Sequence, residues 1–358
     1  MGGITLRMKV LIFSDLHLHN WTYGAKEQHG WNSRLLVQSD FLTKLGIVAA
    51  ENNVENIVFC GDLFHEHGKL TADIVQIAFH KMAQLAATVP GECFLLVGNH
   101  DFLNRQGSIN SASFLHGAGW NICYPEDHRV INGKFFRFMS YIPDQEIFEG
   151  MMEHINTLKG PTEYLFLHQG VDKVPVGSGF ELPNEFLKPD MIPTNTLAFT
   201  GHYHRHQKVS DRLVIVGAPM QHTWSDSGEE RGYIILDTDT NEWEFFAYER
   251  APKFIKLKAK HGDIVDPETI VGNYIRLIDS ESMDEALAVK EYLYSAGAAS
   301  VEIVTKNRET VPSSKSQSFM SLDDAIKQFE SDQSIEDKLS QLGKDLRSGT
   351  YGTTKYNN

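Results

Sequence analysis

Five times along this chain a short apolar run stops at a polar step built from metal-ligating residue types. Ile57-Val58-Phe59-Cys60 runs into Gly61-Asp62-Leu63-Phe64-His65, and Val10-Leu11-Ile12-Phe13 runs into Ser14-Asp15-Leu16-His17. Phe94-Leu95-Leu96-Val97 meets Gly98-Asn99-His100-Asp101, and Tyr164-Leu165-Phe166-Leu167 meets His168-Gln169-Gly170. Leu197-Ala198-Phe199-Thr200 meets Gly201-His202-Tyr203-His204. One such aspartate is as easily a turn former or a helix cap as a ligand. Five together say more, because ligands of open α/β sheets bind in the crevice beyond the carboxyl ends of the strands. The repetition predicts an α/β fold in which Asp, Asn and His side chains from separate strands meet in one metal-binding crevice.

Helical stretches separate these runs. Ser33 to Asn52 carries Leu35, Leu36, Leu42, Leu45 and Val48 at helical spacing, and Thr71 to Ala87 carries Ile74, Ile77, Ala78, Met82 and Leu85. Gly170 to Thr196, rich in Gly, Pro and Asn, reads as a lid or binding loop beside the crevice. Leu213 to Gly217, Gly232 to Asp237 and Trp243 to Tyr248 read as closing strands. The texture changes at Ala251-Pro252, which divides a large domain (8–250) from a small one (252–311). In the small domain Tyr274 to Ile278, Asp284 to Ala296 and Ser300 to Val304 give a βαβ unit. Its first strand alternates Lys256, Lys258 and Lys260 with Ile255, Leu257 and Ala259. A solvated strand face is the simpler reading of those lysines, and phosphate tracking the other.

Pro312 to Ser318 reads as a linker. Within 312–348, Ser321 with Asp324 and Ser334 with Asp337 cap two short amphipathic helices, and 349–358 reads as a disordered tail. Helices so short need something to pack against, and here they read as a partner-binding element.

Bulk properties narrow the function. A net charge of −14 counts against a basic nucleic-acid-binding domain. Acidic ligands holding divalent cations nevertheless invert the local field of a site. No apolar run approaches the roughly 18 residues of a membrane span, and no signal-peptide pattern opens the chain. Three cysteines in or beside apolar runs suit a reducing cytoplasm.

The ligand types suit two divalent ions about 3.5–4 Å apart, with Asp62 as the shared carboxylate. Asp15, His17 and one of the pair His202 and His204 would complete one site; Asn99, His168 and the other histidine would complete the second. Alternate residues of an extended chain project to the same side, so that pair can reach neighbouring ions. Nitrogen and oxygen ligands without a thiolate suit Mn, Fe or Zn. Such a centre activates water at neutral pH and clamps a phosphate, and His100, followed by Asp101, stands ready to protonate a leaving alkoxide.

The series Asp15-x-His17, Gly61-Asp62, Gly98-Asn99-His100-Asp101, His168 and Gly201-His202-x-His204 resembles the calcineurin-like metallophosphoesterase superfamily over residues 8 to about 248. That resemblance implies a four-layered α/β sandwich with a di-metal centre. Phosphoprotein phosphatases of the superfamily carry Arg and Glu where His65 and Asp101 stand here. The Gly61-Asp62-Leu63-Phe64-His65 block resembles the SbcD family of double-strand-break nucleases. So do Gly217-Ala218-Pro219 followed by Arg231-Gly232-Tyr233, the small α/β cap and the terminal helices. The compact cap and short tail are most similar to the tailed-phage recombination endonuclease subunit of that family.

The resemblance implies Mn-dependent hydrolysis of DNA phosphodiesters during recombination and repair, as exonuclease on duplex ends and endonuclease on single strands. It also implies a homodimer in the cytoplasm of a prokaryotic or phage-infected cell, with an SbcC-type, SMC-like ATPase held by the tail helices. Carried over, Asp15, His17, Asp62 and His204 hold one ion, and Asp62, Asn99, His168 and His202 hold the other. His65 orients the scissile phosphate, His100 protonates the leaving group, and Asp101 joins them. Arg105 and Arg205 flank ligand blocks and are expected to touch phosphate, whereas His19, His67, His206 and His222 read as surface or supporting residues.

A small-molecule phosphoesterase for cyclic nucleotides or nucleotide diphosphates would explain the acidity, but leaves the cap and tail without a role. A non-catalytic scaffold conflicts with the presence of both His65 and His100.

Overall fold

Leu11 and Phe13 face one side of the first strand, β1 (Lys9–Phe13), Val10 and Ile12 face the other, and all four are fully buried. A strand apolar on both faces must be covered on both faces, and that requirement organises the molecule. The structure is a computed structural model that describes residues 8–104, 109–157, 163–176 and 180–304, save 261, 264, 279 and 281. Arg105, the 312–348 segment and the 349–358 tail lie outside the described residues.

The chain lays down β1, then α1 (Ser33–Glu51), β2 (Asn56–Phe59), α2 (Ala72–Ala86), β3 (Cys93–Leu96) and β4 (Trp120–Cys123), with the four strands parallel. Asn32 caps α1 by accepting from the backbone N–H groups of Arg34 and Leu35. A second sheet follows from β5 (Glu126–Ile131), β6 (Lys134–Met139), β7 (Tyr164–His168), β8 (Leu197–Gly201), β9 (Gln207–Lys208) and β10 (Leu213–Ile215), with α3 (Gln145–Thr157) between β6 and β7. Its order is β9-β10-β8-β7-β6-β5. The chain then returns to the first sheet, where β11 (Gly232–Asp237) and β12 (Glu242–Ala247) add antiparallel strands beside β1.

The two sheets pack face to face, with α1 and α2 covering the outer face of the first and α3 that of the second. Val10, Ile12, Val58, Phe94, Leu96, Phe136, Phe138, Phe166 and Phe199 fill the gap between the sheets. Phe166 is the hub: its ring centroid lies 5.5 Å from Phe138, 5.7 Å from Phe199 and 6.1 Å from Phe136. We expect Phe166→Ala to cost about 3–5 kcal/mol of unfolding free energy. Urea denaturation reads this directly, and a loss below about 1 kcal/mol would mean that this slab is not the principal core.

Within the 170–196 segment, expected to be a lid or binding loop, several of the described residues pack into the core. Val171, Leu187 and Ile192 are buried against Leu165, Leu167, Leu213 and Ile215. Helix α3 covers too little of the second sheet, so the loop supplies the rest of that layer.

The last described stretch builds a parallel sheet of β13 (Phe254–Leu257), β14 (Tyr274–Ile278) and β15 (Ser300–Val304), crossed by α4 (Met283–Ser295). It has its own core of Ile270, Ile275, Leu277, Val289, Leu293 and Val301. The described residues fall within one contact unit, and this sheet docks through Phe254 and Tyr274 on Tyr23 and on the Arg34 guanidinium. Cys60, Cys93 and Cys123 are buried and free. Among the described residues no helix is long and apolar enough to cross a membrane.

Candidate metal centre

Past the end of β1 the chain leaves the sheet but keeps pairing with the chain past β2. Asp15 N–H donates to the Gly61 carbonyl at 2.9 Å, His17 N–H to Asp62 at 3.1 Å and Leu18 N–H to Leu63 at 2.7 Å. This ladder brings Asp15, His17 and Asp62 together. All three have left-handed backbone (φ 53°, 48° and 59°), as does His202 at φ 90°. Such a conformation costs a non-glycine residue roughly 1–3 kcal/mol and persists where surrounding structure enforces it. Glycines permit the convergence. A Cβ at Gly98 would lie 2.1 Å from Asp62 Oδ1, and one at Gly201 2.2 Å from Ser14 Oγ.

Around Asp62 the ligand-type atoms converge. Its Oδ2 lies 3.6 Å from His17 Nε2 and 3.4 Å from His168 Nε2, while its Oδ1 accepts the His100 N–H at 2.9 Å. Asn99 Oδ1 lies 2.9 Å from His202 Nδ1 and 3.2 Å from His168 Nε2. The Nε2 atoms of His17 and His204 face each other at 3.0 Å. Asp15 accepts the His202 N–H on both oxygens, at 3.1 and 3.2 Å. Ligand atoms of Asp15, His17 and His204 lie mutually within 4.8 Å, as do those of Asp15, Asp62 and His168. The seven residues expected as ligands thus share one site.

Burial and charge pairing compete there. Desolvation pushes the Asp15 carboxyl up to about 6. Burial would push Asp62 up as well, but the imidazoles of His168 and His17 hold it well below the usual carboxylate range. For His168 burial opposes the charged ring, yet Asp62 outweighs it and lifts the pKa to about 9. The donor set fits divalent ions. His168 Nδ1 must donate to the Cys60 carbonyl, 2.6 Å away, so once the ring gives up its second proton Nε2 is the nitrogen left to ligate an ion beside Asp62. Buried carboxylates and imidazole lone pairs converging without a thiolate match the coordination habits of Mn, Fe and Zn.

His65 and His100 stand beside this group with rings 5.5 Å apart and nearly parallel. His100 Nδ1 donates to the His65 carbonyl at 2.7 Å, which leaves Nε2 free to act. His67 stacks on His100 at 4.9 Å. Asp101 departs from the catalytic role expected of it. Its fully buried carboxylate accepts the backbone N–H groups of Asp62, Phe64 and Gly98 at 2.9–3.0 Å, so it shapes the loop that carries Asp62. Arg205 is 42% exposed at the rim and pairs with Glu229 at 3.8 Å. His206 lies away from the cluster, stacked 4.0 Å from Phe245.

Three supporting residues stand out once the fold is known. His222 is buried with Nε2 3.2 Å from the Asp15 carbonyl. Gln38, in the second turn of α1, donates to the carbonyls of Leu16 and His17 at 2.8 and 2.7 Å and accepts from His19 N–H. Asp226 lies 3.7 Å from His204 Nδ1. A polar residue within the apolar stripe of α1 was a readable signal for Gln38; nothing local in the sequence marked Asp226.

A calcineurin-like phosphoesterase family profile matches residues 8–206. Curated relatives are distant. Over 195 residues the chain is 26% identical to a protein of Invertebrate iridescent virus 3 provisionally named phosphoesterase 078R, covering 53% of this chain and 54% of that one. It is 20% identical over 298 residues to the SbcD component of the SbcCD nuclease of Bacillus subtilis (strain 168), with 71% of this chain and 73% of the relative covered. It is 22% identical over 233 residues to Exonuclease subunit 1 of Enterobacteria phage T4, with 64% and 66% covered. The chain therefore spans about half the length of the iridescent-virus relative and about two thirds of the phage one.

Proposed function

This chain belongs to the calcineurin-like phosphoesterases, and from that premise we propose that it is an SbcD-type DNA nuclease subunit hydrolysing phosphodiesters with two divalent ions, Mn foremost. The observation that carries the phosphodiesterase chemistry is the His65–His100 pair beside two groups of ligand atoms that share one buried crevice. DNA as substrate is supported by the similarity to the Bacillus and T4 nuclease components, over 71% and 64% of this chain.

In this reading Asp15, His17, Asp62 and His204 hold one ion, and Asp62, Asn99, His168 and His202 the other. Bound there, divalent ions activate water and draw charge off a phosphate in line for displacement. The chain's own groups do the rest. Asp62 is held by Asp101-fixed backbone so that Oδ2 points at both histidine clusters. His65 aims its imidazole at the scissile phosphate. His100, its Nδ1–H given to the His65 carbonyl, delivers a proton from Nε2 of the imidazolium form to the leaving oxygen and is left as the neutral Nδ1–H ring. We assign contact with an SbcC-type ATPase to residues 312–348, and further propose a homodimer acting in the cytoplasm.

End-labelled duplex DNA incubated with Mn or with Mg, beside bis-p-nitrophenyl phosphate, tests the reading. Mn-dependent shortening of duplex ends is expected. Hydrolysis of the small diester with DNA left intact, even with an SbcC-type ATPase and ATP present, would overturn the nuclease assignment in favour of a small-molecule phosphoesterase.

A further inference from the structure

Behind His204, on the side away from His17, sits a carboxylate that belongs to none of the ligand blocks. Asp226 closes the short turn Trp224–Asp226 and is only 3% exposed. Its Oδ2 accepts the backbone N–H groups of His222 and Thr223 at 2.8 and 3.0 Å. Its Oδ1 accepts from Arg231 Nη2 at 2.9 Å and lies 3.7 Å from His204 Nδ1. Arg231 is itself buried and anchored by Glu229 at 2.6 Å. The His204 ring thus has an immobilised carboxylate behind Nδ1 and His17 in front of Nε2.

We propose that Asp226 is a positioning residue of the metal centre, holding His204 in the Nδ1–H tautomer with Nε2 turned to the ion it shares with Asp15, His17 and Asp62. The proposal rests on the two-ion reading above. Three N–H donors already occupy Asp226, so it cannot swing in as a ligand. Its action runs through the imidazole: a carboxylate behind a metal-binding histidine fixes ring orientation and raises basicity. The second ligand group has its own equivalent in the Cys60 carbonyl behind His168, which does not involve Asp226.

That asymmetry makes the test specific. Calorimetric titration of the metal-free protein with MnCl2 should resolve two equivalents, and Asp226→Asn should weaken one of them by about 10–100-fold while leaving the other unchanged. Arg231→Lys, which keeps the carboxylate behind His204, should retain both affinities to within a few-fold even where thermal unfolding shows both variants destabilised. Nitrogen NMR of the zinc-loaded, histidine-labelled wild-type protein provides a readout independent of any variant, and should find His204 protonated on Nδ1. Two unchanged equivalents in Asp226→Asn, or His204 protonated on Nε2, would overturn the proposal. A wild-type chain binding a single equivalent would instead overturn the two-ion reading beneath it.

Discussion

Asp62→Asn should strip the protein of both tightly bound ions in one step. The substitution is nearly isosteric, and the backbone around it is fixed independently, by Asp101 on the Asp62 and Phe64 N–H groups and by the close approach of Gly98. The fold should therefore survive, with an unfolding midpoint close to that of the metal-free wild type. What changes is Oδ2, which lies 3.4–3.6 Å from one histidine of each ligand group. An amide either turns its NH2 toward those lone pairs or offers a weak neutral oxygen in place of a charged one. Each ion should weaken by at least about 10²-fold, the upper range for losses one shell further out. Elemental analysis after gel filtration, followed by Mn calorimetry, measures it. Retention of two tight ions would remove Asp62 from the shared position and move attention to Asp15, whose carboxylate also belongs to both clusters.

The parts of this site that could be read from the sequence share one property: the signal and the function lie in the same few residues. Apolar runs that end in Asp, Asn or His state both a buried strand and a ligand at its carboxyl end, and all five such ends converge. The apolar stripes of α1 and α2 were equally local. What escaped was tertiary. Asp101 follows His100 in the chain and was grouped with it, yet the two side chains part, one into the loop backbone and the other toward His65. Asp226 is joined to His204 by folding alone, across β9 and β10. The 170–196 loop lacks periodicity because Leu187 and Ile192 are buried by irregular backbone, so its packing role left no repeating trace.

His100→Gln should keep both ions and lose about 10²–10⁴ in turnover on DNA. The size of that effect should depend on the leaving group. A deoxyribose alkoxide is a strong base and needs a proton as the bond breaks, whereas p-nitrophenolate departs without one. The variant should therefore hydrolyse bis-p-nitrophenyl phosphate within a few-fold of the wild type while failing on duplex ends. Geometry also supplies a rival, since ligand atoms of His17, His65 and His100 lie mutually within 4.8 Å and could themselves hold an ion. The two roles separate cleanly. A ligand lost from His100 would lower metal content and depress both substrates alike, because both need the same centre. A proton donor lost would leave the metal count unchanged and discriminate by leaving-group basicity. The His65 carbonyl on Nδ1 leaves Nε2 as the one nitrogen available for either role, as the Cys60 carbonyl does for His168, so metal content and leaving-group dependence decide between them.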